Sequence, residues 1–255
     1  MTTDLRQGQA PAQSADFDEN RLLRTFPETL RLSLMGQAAI LRLDDGDVLH
    51  EVGADVDRSL FPLGPAMISL STDIDNGRSI EVASIGREGA IGGIVSCGHS
   101  PAFAKATVLL GGRFLALPMQ FLEDSKAQSG LLRNLFCRYA DYLLAQIMQS
   151  AACNTFHSIE ERAARWLLTA QDRAGDRLRL TQEEMARLLG VQRTTINAVA
   201  RDLQEEGLIV TRRGAIEIES REGLLRRTCT CYKTVENFFD DVIGEHGNGG
   251  SSGCD

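Results

Sequence analysis

The segment LTQEEMARLLGVQRTTI, residues 180–196, is the most informative part of this sequence. It opens with the capping-box pattern from Thr181 to Glu184, in which two side chains satisfy free N–H groups at the start of a helix. Gly190 ends that helix, and helical periodicity resumes within about two residues. Two helices joined by so tight a turn predict a helix-turn-helix.

The second helix of this pair, predicted from about Gln192 to Glu206, has two unlike faces. One carries apolar residues at steps of three and four, which predicts burial. On the other, Arg193, Asn197 and Arg201 are spaced by four residues, so their side chains point the same way. They can donate to guanine edges, adenine edges and phosphates. The residues of this helix predicted to contact DNA are Gln192, Arg193, Thr194, Thr195, Asn197 and Arg201.

An alternating hairpin follows, with strands predicted over residues 208–211 and 215–218. Its tip holds Arg212 and Arg213, which we expect to touch backbone phosphate as a DNA-binding wing. Together with a helix that begins at a capping box near Ser158, these features define a winged helix-turn-helix domain over residues 156–222.

The N-terminal half has a different pattern. Residues 1–19 are polar and lack apolar periodicity, which predicts disorder. A short helix is expected to end at Pro27, after which short apolar runs separated by turn residues continue to about Leu117. That pattern predicts an antiparallel β-sandwich or barrel, which we assign to an N-terminal domain over residues 20–127. The remaining residues, 223–255, are predicted to form a C-terminal helix and a disordered tail.

Between the two domains, residues 128–155 are predicted to form one long helix with a heptad seam. A second apolar stripe beside the seam indicates two packing partners. We expect one face to pack on the β domain and the other on the same helix of a second subunit, giving a symmetric dimer; burial of the helix in its own domain is the alternative. The residues predicted for the dimer seam are Leu132, Leu135, Tyr139, Tyr142, Gln146 and Gln149.

Composition sets the outer limits. The length of 255 residues suits two domains. Neither a membrane helix nor a signal peptide is recognisable, so we expect a cytoplasmic location. In that compartment the six cysteines of the chain would be reduced. The formal net charge of −8 opposes nucleic-acid binding only if the charge is evenly spread. Arginines concentrate on the predicted recognition face and the wing, so DNA binding remains the expectation.

With a β domain, a long helix and a winged helix-turn-helix in this order, residues 20–222 resemble the CRP/FNR superfamily of transcription regulators. The resemblance implies an α+β fold: an N-terminal β-roll sensor of the cyclic-nucleotide-binding type, a dimerisation helix, and recognition helices oriented by an allosteric change. It also implies a near-palindromic DNA target. Arg193 matches the family's guanine-reading Arg, whereas Thr194 and Ala198 replace the family's Glu and Arg. The family's usual half-site is therefore not expected.

The sensor departs further from the family pattern, in which a Glu holds the ribose and an Arg the cyclic phosphate. Gly93 stands at the Glu position, no Arg precedes Ala106, and Lys105 offers a point charge without the bidentate fork of Arg. We therefore expect an unknown small-molecule effector other than cyclic AMP, or a loss of sensing. The residues placed in the effector pocket by the resemblance are Gly89, Ala90, Ile91, Gly92, Gly93, Lys105, Ala106 and Thr107.

Two cysteine features are weaker signals. Residues 97–99, Cys-Gly-His, offer two ligands for a metal or haem, but a plain loop is the favoured interpretation. Cys229 and Cys231 lie beside Arg226 and Arg227, which would favour redox reactivity, yet a helix that uses them as small residues is favoured. Iron–sulfur sensing is not expected because no cysteine precedes Cys97. The sequence thus predicts no metal site and, without an acid–base or nucleophile arrangement, no enzyme.

The leading hypothesis is a homodimeric, sequence-specific DNA-binding transcription regulator controlled through the β-roll. RNA polymerase is a candidate partner of such a regulator. The alternative is a ligand-binding or protein-interaction module whose helix-turn-helix does not read DNA.

Overall fold

The computed structural model describes residues 10–74, 78–94 and 101–244, and it confirms the predicted α+β fold. The N-terminal β-roll consists of two four-stranded antiparallel sheets, with strand orders β1-β2-β8-β4 and β3-β7-β5-β6. The strands are β1 (Ala10–Pro11), β2 (Ala39–Leu43), β3 (Val48–His50), β4 (Arg58–Leu63), β5 (Met67–Ile74), β6 (Arg78–Ile85), β7 (Lys105–Leu110) and β8 (Gly112–Pro118). Apolar side chains from both sheets form the core of the roll.

Three short helices precede the roll: α1 (Ser14–Asp18), α2 (Arg21–Arg24) and α3 (Glu28–Met35). The predicted disorder is wrong for residues 10–19, because Phe17 is fully buried and the adjacent carboxylate of Asp16 pairs with Arg113 of β8. One apolar and one charged anchor hold a segment whose overall polarity suggested no structure.

After the roll, α4 (Met119–Gln128) and α5 (Gly130–Phe156) lead to the C-terminal domain. That domain comprises α6 (Ile159–Ala174), β9 (Arg177–Leu178), α7 (Gln182–Leu189), α8 (Arg193–Glu205), β10 (Ile209–Arg212), β11 (Ala215–Ile218) and α9 (Arg221–Arg227). A last helix, α10 (Cys231–Val242), follows. None of the helices in the described residues is long and apolar enough to span a bilayer.

The long helix α5 confirms the predicted periodicity but corrects the predicted partner. Five of the six seam residues are buried within their own subunit, where four of them pack in one apolar cluster with the β-roll and α10. The sixth, Gln149, donates to Cys231 of α10. A heptad pattern predicts which face of a helix is buried, but it does not predict whether that face packs against its own chain or against a second subunit. The seam residues Leu132, Leu135, Tyr139, Tyr142, Gln146 and Gln149 therefore face the subunit interior.

A different face of α5 is exposed and apolar. Its large side chains are Leu144, Ile147 and Met148, which follow the i, i+3, i+4 spacing of one helix face. We call these three residues the α5 stripe. An exposed apolar patch of this kind is typical of a protein–protein contact.

Helix α10 returns from the C-terminal domain to the β-roll side of the molecule. The ring of Phe239 meets that of Tyr142 edge-on at 5.0 Å, and Arg21 of α2 lies over the Phe239 ring and pairs with Asp240 at 2.6 Å. The C-terminal helix predicted after residue 222 is therefore two helices, and the second helps to join the two domains.

Candidate nucleic-acid interface and sensor cavities

The helix-turn-helix has the local geometry that its sequence predicts. Thr181 Oγ1 accepts from the backbone N–H of Glu184 at 3.1 Å, and the Glu184 carboxylate accepts from the backbone N–H of Thr181 at 2.7 Å. Gly190 ends α7 in the left-handed conformation, with φ 69° and ψ 33°. That backbone turns the chain sharply into α8 and strongly favours glycine.

Helix α8 has one buried and one exposed face. Its inner residues, Ile196, Val199, Ala200 and Leu203, pack in the core of the C-terminal domain. On the outer face Arg193, Asn197 and Arg201 are all exposed, as their four-residue spacing predicts. The helix thus presents a line of polar donors on a rigid support.

The start of α8 is suited to an anion. Its N-cap residue, Gln192, makes no side-chain hydrogen bond to the helix, so the first N–H groups remain available to an outside acceptor. Of the predicted contact residues here, Gln192, Arg193 and Thr194 are exposed, while Thr195 is half-buried. A phosphate group is the acceptor that this terminus would favour.

Three acidic side chains lie near the recognition arginines in the free protein. Arg193 Nη1 lies 3.4 Å from Glu183 Oε2 of α7, and Arg201 Nε lies 3.9 Å from carboxylate oxygens of Asp202 and Glu205. All of these side chains are mostly exposed, so the pairs are weak. They therefore hold the arginines only loosely.

The wing is a two-residue hairpin formed by β10 and β11, with Gly214 at φ 74° in the turn. Strand β9 completes a three-stranded sheet. Arg212 and Arg213 are exposed at the tip, and Arg212 Nε is 2.7 Å from Glu217 Oε2. This ion pair with Glu217 raises the pKa of Arg212.

A surface groove of about 290 Å³ lies between the start of α7, Arg193 and the wing residue Arg212. The recognition helix and the wing therefore border one concave surface with arginine on two sides.

Residues 161–227 match the Crp-like helix-turn-helix domain family. The chain carries a Crp-like helix-turn-helix domain. The match extends from α6 through the wing to the end of α9. It confirms the resemblance predicted from residues 180–196. No curated protein matches the chain in sequence.

Solved structures of CRP/FNR regulators share the fold of about three quarters of this chain. FixK2 from Bradyrhizobium japonicum is 12% identical, with a TM-score of 0.64 over 75% of this chain and 98% of its own. A CRP-family regulator from Thermus thermophilus is 17% identical, with a TM-score of 0.60 over 73% and 95%. The c-di-GMP-responsive regulator CLP from Xanthomonas campestris is 15% identical, with a TM-score of 0.59 over 75% and 98%. The Crp-like domain is thus joined to a β-roll and a long helix in the CRP/FNR arrangement.

The structure separates the predicted effector residues into two groups. Ile91, Gly92 and Gly93 line a cavity of about 390 Å³ at the mouth of the β-roll. Gly89, Ala90, Lys105, Ala106 and Thr107 do not line it. The Tyr139 hydroxyl of α5 donates to the Ala90 carbonyl and accepts from its N–H, both at 2.9 Å. The start of the family's phosphate cassette is here a packing surface for α5.

The β-roll cavity has little to hold an anionic phosphate. Lys105 Nζ is directed to Glu51 at 3.0 Å and is not part of the lining. At the position where the family has its ribose-binding Glu, the Gly93 carbonyl accepts from Lys126 Nζ at 2.7 Å, and Met119 fills the space that a Cβ would need. The sensor therefore differs from the cyclic-nucleotide pattern in shape as well as in residues.

His50 is the polar group of interest in the β-roll cavity. Its Nδ1 is buried and has no hydrogen-bond partner within the part of the chain that the structure describes. Burial lowers the pKa of His50, so the imidazole is neutral near pH 7. Most other lining residues are apolar, among them Val56 and Met119, and one acidic residue, Glu123, also lines the cavity. The Cys-Gly-His segment at 97–99 lies outside the described residues.

A second cavity, of about 180 Å³, lies between the domains and is lined by the β-roll, α5, α6 and α10. It contains a buried ion pair, Arg173 of α6 with Glu88 at 2.7 Å. Beside it the Trp166 indole donates to Glu81 Oε1 at 2.9 Å. Burial raises the pKa of Glu81. These contacts couple the Crp-like domain to the sensor.

Four potential metal ligands come together where α5, α6, α9 and α10 meet. They are Cys153, His157, Cys229 and Cys231, whose ligand atoms all lie within 4.8 Å of one another. Burial raises the pKa of Cys153 to about 12 and also raises that of Cys229, which argues against the redox-reactive thiols considered above. Sequence spacing could not reveal this set, because its ligands come from two distant segments of the chain. Cys153 and Cys229 are 76 residues apart in sequence.

Proposed function

We propose that this protein is a homodimeric transcription regulator of the CRP/FNR type, located in the cytoplasm, that reads a near-palindromic DNA site. One observation carries the proposal: Arg193, Asn197 and Arg201 project from one face of α8, whose opposite face is locked in the domain core. Side chains on a rigid helix can be placed in the major groove with a defined register. The exposed wing arginines supply phosphate contacts beside it.

In this proposal the dimer contact is the α5 stripe. It replaces the predicted seam, because the seam residues face the interior of their own subunit. Two copies of α5 packed through this stripe would bury its three apolar side chains and bring the two recognition helices into two-fold relation. Two-fold symmetry in the protein then requires two half-sites in the DNA.

The β-roll cavity is the proposed effector site. Its lining is mostly apolar, with the neutral imidazole of His50 and the acidic residue Glu123, and it favours a largely apolar small molecule without negative charge over cyclic AMP. A cyclic nucleotide would bring a phosphate to a cavity whose lining residues include no Arg or Lys among the described ones.

Selection of the purified protein on random DNA duplexes, followed by affinity measurements across salt concentration, tests the proposal. We expect enrichment of an inverted repeat and a linear fall of log affinity with log salt concentration. A protein-interaction module would enrich no sequence and show no salt slope, and that result would refute DNA reading.

A further inference from the structure

We propose that Cys153, His157, Cys229 and Cys231 form a structural zinc site that fastens the C-terminal helix α10 to the junction between α5 and α6. This inference goes beyond the proposed function, since zinc binding does not depend on DNA reading. It also replaces the expectation of no metal site.

The distances between the ligand atoms suit a single tetrahedral ion. Cys153 Sγ lies 3.6 Å from Cys229 Sγ, and Cys231 Sγ lies 3.5 Å from His157 Nδ1. Two sulfurs bound tetrahedrally at about 2.3 Å from one zinc ion are about 3.8 Å apart, and a sulfur and an imidazole nitrogen about 3.6 Å apart. The protein thus places these atoms close to where a zinc ion would hold them.

The identity of the ligands selects zinc among common ions. Three thiolates and one imidazole form one of the usual structural zinc sets, and thiolates disfavour Mg²⁺ and Ca²⁺. An iron–sulfur cluster interposes several iron and sulfide atoms between its thiolates. Ligand atoms that all lie within 4.8 Å of one another leave room for one ion only.

The surroundings compensate the charge of such a site. Zn²⁺ with three thiolates and a neutral imidazole carries a net charge of −1, and Arg162 and Arg165 both interact electrostatically with Cys153. The Nε atoms of both arginines are buried and, among the described residues, have no hydrogen-bond partner. Gln149 donates to Cys231 Sγ at 3.0 Å, as groups around a metal commonly do for its ligands.

Binding is a simple exchange of protons for metal. Three S–H bonds break, three S–Zn bonds and one N–Zn bond form, and three protons pass to the buffer without any change of oxidation state. With four protein ligands no position stays open for water, so the site is structural.

The position of the site indicates what it stabilises. Cys153 and His157 are one turn apart at the end of α5, and α6 begins two residues after His157. Cys229 and Cys231 flank Thr230, the N-cap of α10. One ion would therefore fix the angle between the long helix and the Crp-like domain and hold the start of α10 beside both.

Metal analysis of the purified full-length chain is the first test. We expect about one zinc per chain in the wild type and in Cys137→Ser, whose exposed cysteine is the matched control. Cys229→Ser and Cys231→Ser should fall to near zero zinc and unfold at lower temperature. Wild-type protein that contains no zinc and takes none up would overturn the proposal.

Cobalt substitution in the wild type keeps the test informative if the serine variants fail to fold. Stripped protein titrated with Co²⁺ should saturate at about one equivalent, with thiolate-to-cobalt charge-transfer bands and the intense d–d bands of tetrahedral coordination. His157→Cys should retain the ion with stronger charge transfer, whereas Cys137→Ser should match the wild type.

Three other results would each contradict the site as proposed. Bound iron with acid-labile sulfide would show a cluster, a Cys153–Cys229 disulfide in freshly purified protein would show an oxidised pair, and a weak octahedral cobalt spectrum would show surface binding. Failure of DNA selection with zinc present would refute the proposed function and leave the zinc site standing.

Discussion

Arg173 of α6 and Glu88 of the β-roll form an ion pair of 2.7 Å between the two domains, with side-chain exposures of only 5% and 9%. Arg173 also donates to Ser84. Its single guanidinium therefore holds Ser84, near the end of β6, and Glu88, in the segment that follows β6. A charge pair this deeply buried is tolerated only while both partners are present, because each alone would be a desolvated charge.

Arg173→Met is therefore expected to lower the free energy of unfolding by about 3–5 kcal/mol, the usual cost of leaving one buried charge without its partner. The double variant Arg173→Met, Glu88→Gln should recover a large part of that loss. Urea unfolding of the two variants and the wild type measures both effects. Equal destabilisation by the single and double variants would show that the pair does not act as a unit.

Glu81 should make stability depend on pH. Burial raises its pKa above the ordinary value of 4.5, and its Oε2 has no hydrogen-bond partner among the described atoms. The folded state then holds a proton that the unfolded state has released, so this group's contribution to stability falls as pH rises from 4.5 through the folded-state pKa.

Glu81→Gln removes this titration and keeps an oxygen for the Trp166 indole. The variant should equal the wild type in stability at low pH and exceed it progressively as the pH rises toward 7. Glu219→Gln, at an exposed acid, is the control and should show no such trend. Unfolding measured at several pH values tests this. A stability difference between variant and wild type that does not change with pH would contradict the assigned role of Glu81.

The sequence predicts the Crp-like domain well because its signals are local. The capping box at Thr181, the left-handed Gly190 and the spacing of Arg193, Asn197 and Arg201 all act within one or two turns of helix. Such features are fixed by nearest neighbours along the chain, and the structure reproduces them.

Long-range features could not be predicted in the same way. The periodicity of α5 gave the correct buried face, but whether α10 or a second subunit covers Tyr142 depends on a segment about 100 residues away. The proposed zinc ligands likewise belong to two segments that only the fold brings together. In the β-roll, the region around Gly93 is shaped by Met119 and Lys126, which belong to helix α4. Sequence spacing does not indicate that this helix contacts Gly93.

Arg193→Ala should reduce affinity for the selected DNA site by about 1–3 kcal/mol and relax preference at one base pair in each half-site. The guanidinium of Arg193 is exposed on α8, and only a weak ion pair with Glu183 must break before it can contact a base. Arg133→Ala, exposed on α5, is the control and should leave affinity and preference unchanged. Uniform weakening at every sequence would make Arg193 a phosphate contact instead.

Arg213→Ala should weaken binding equally for all sequences and reduce the magnitude of the salt slope by about 1, because one phosphate contact is lost. Arg212→Ala should have a smaller effect, since Arg212 must first leave Glu217, which holds it at 2.7 Å. Affinity at several salt concentrations distinguishes these cases. A change in base preference with an unchanged slope would mean that the wing reads bases.

The α5 stripe should control the oligomeric state. Met148 is 63% exposed in the single subunit, so Met148→Glu should leave the fold intact and place a charge in the dimer contact. We expect the dissociation constant of the dimer to rise by about 30-fold or more, equivalent to about 2 kcal/mol. Sedimentation equilibrium measures it.

Val52→Glu, on an exposed residue of the β-roll, is the matched control and should remain dimeric. Leu135→Ala probes the predicted seam: because Leu135 is buried within its subunit, it should lower unfolding stability by about 2–5 kcal/mol without shifting the monomer–dimer equilibrium. Dissociation by Leu135→Ala, with Met148→Glu still dimeric, would return the dimer contact to the heptad seam.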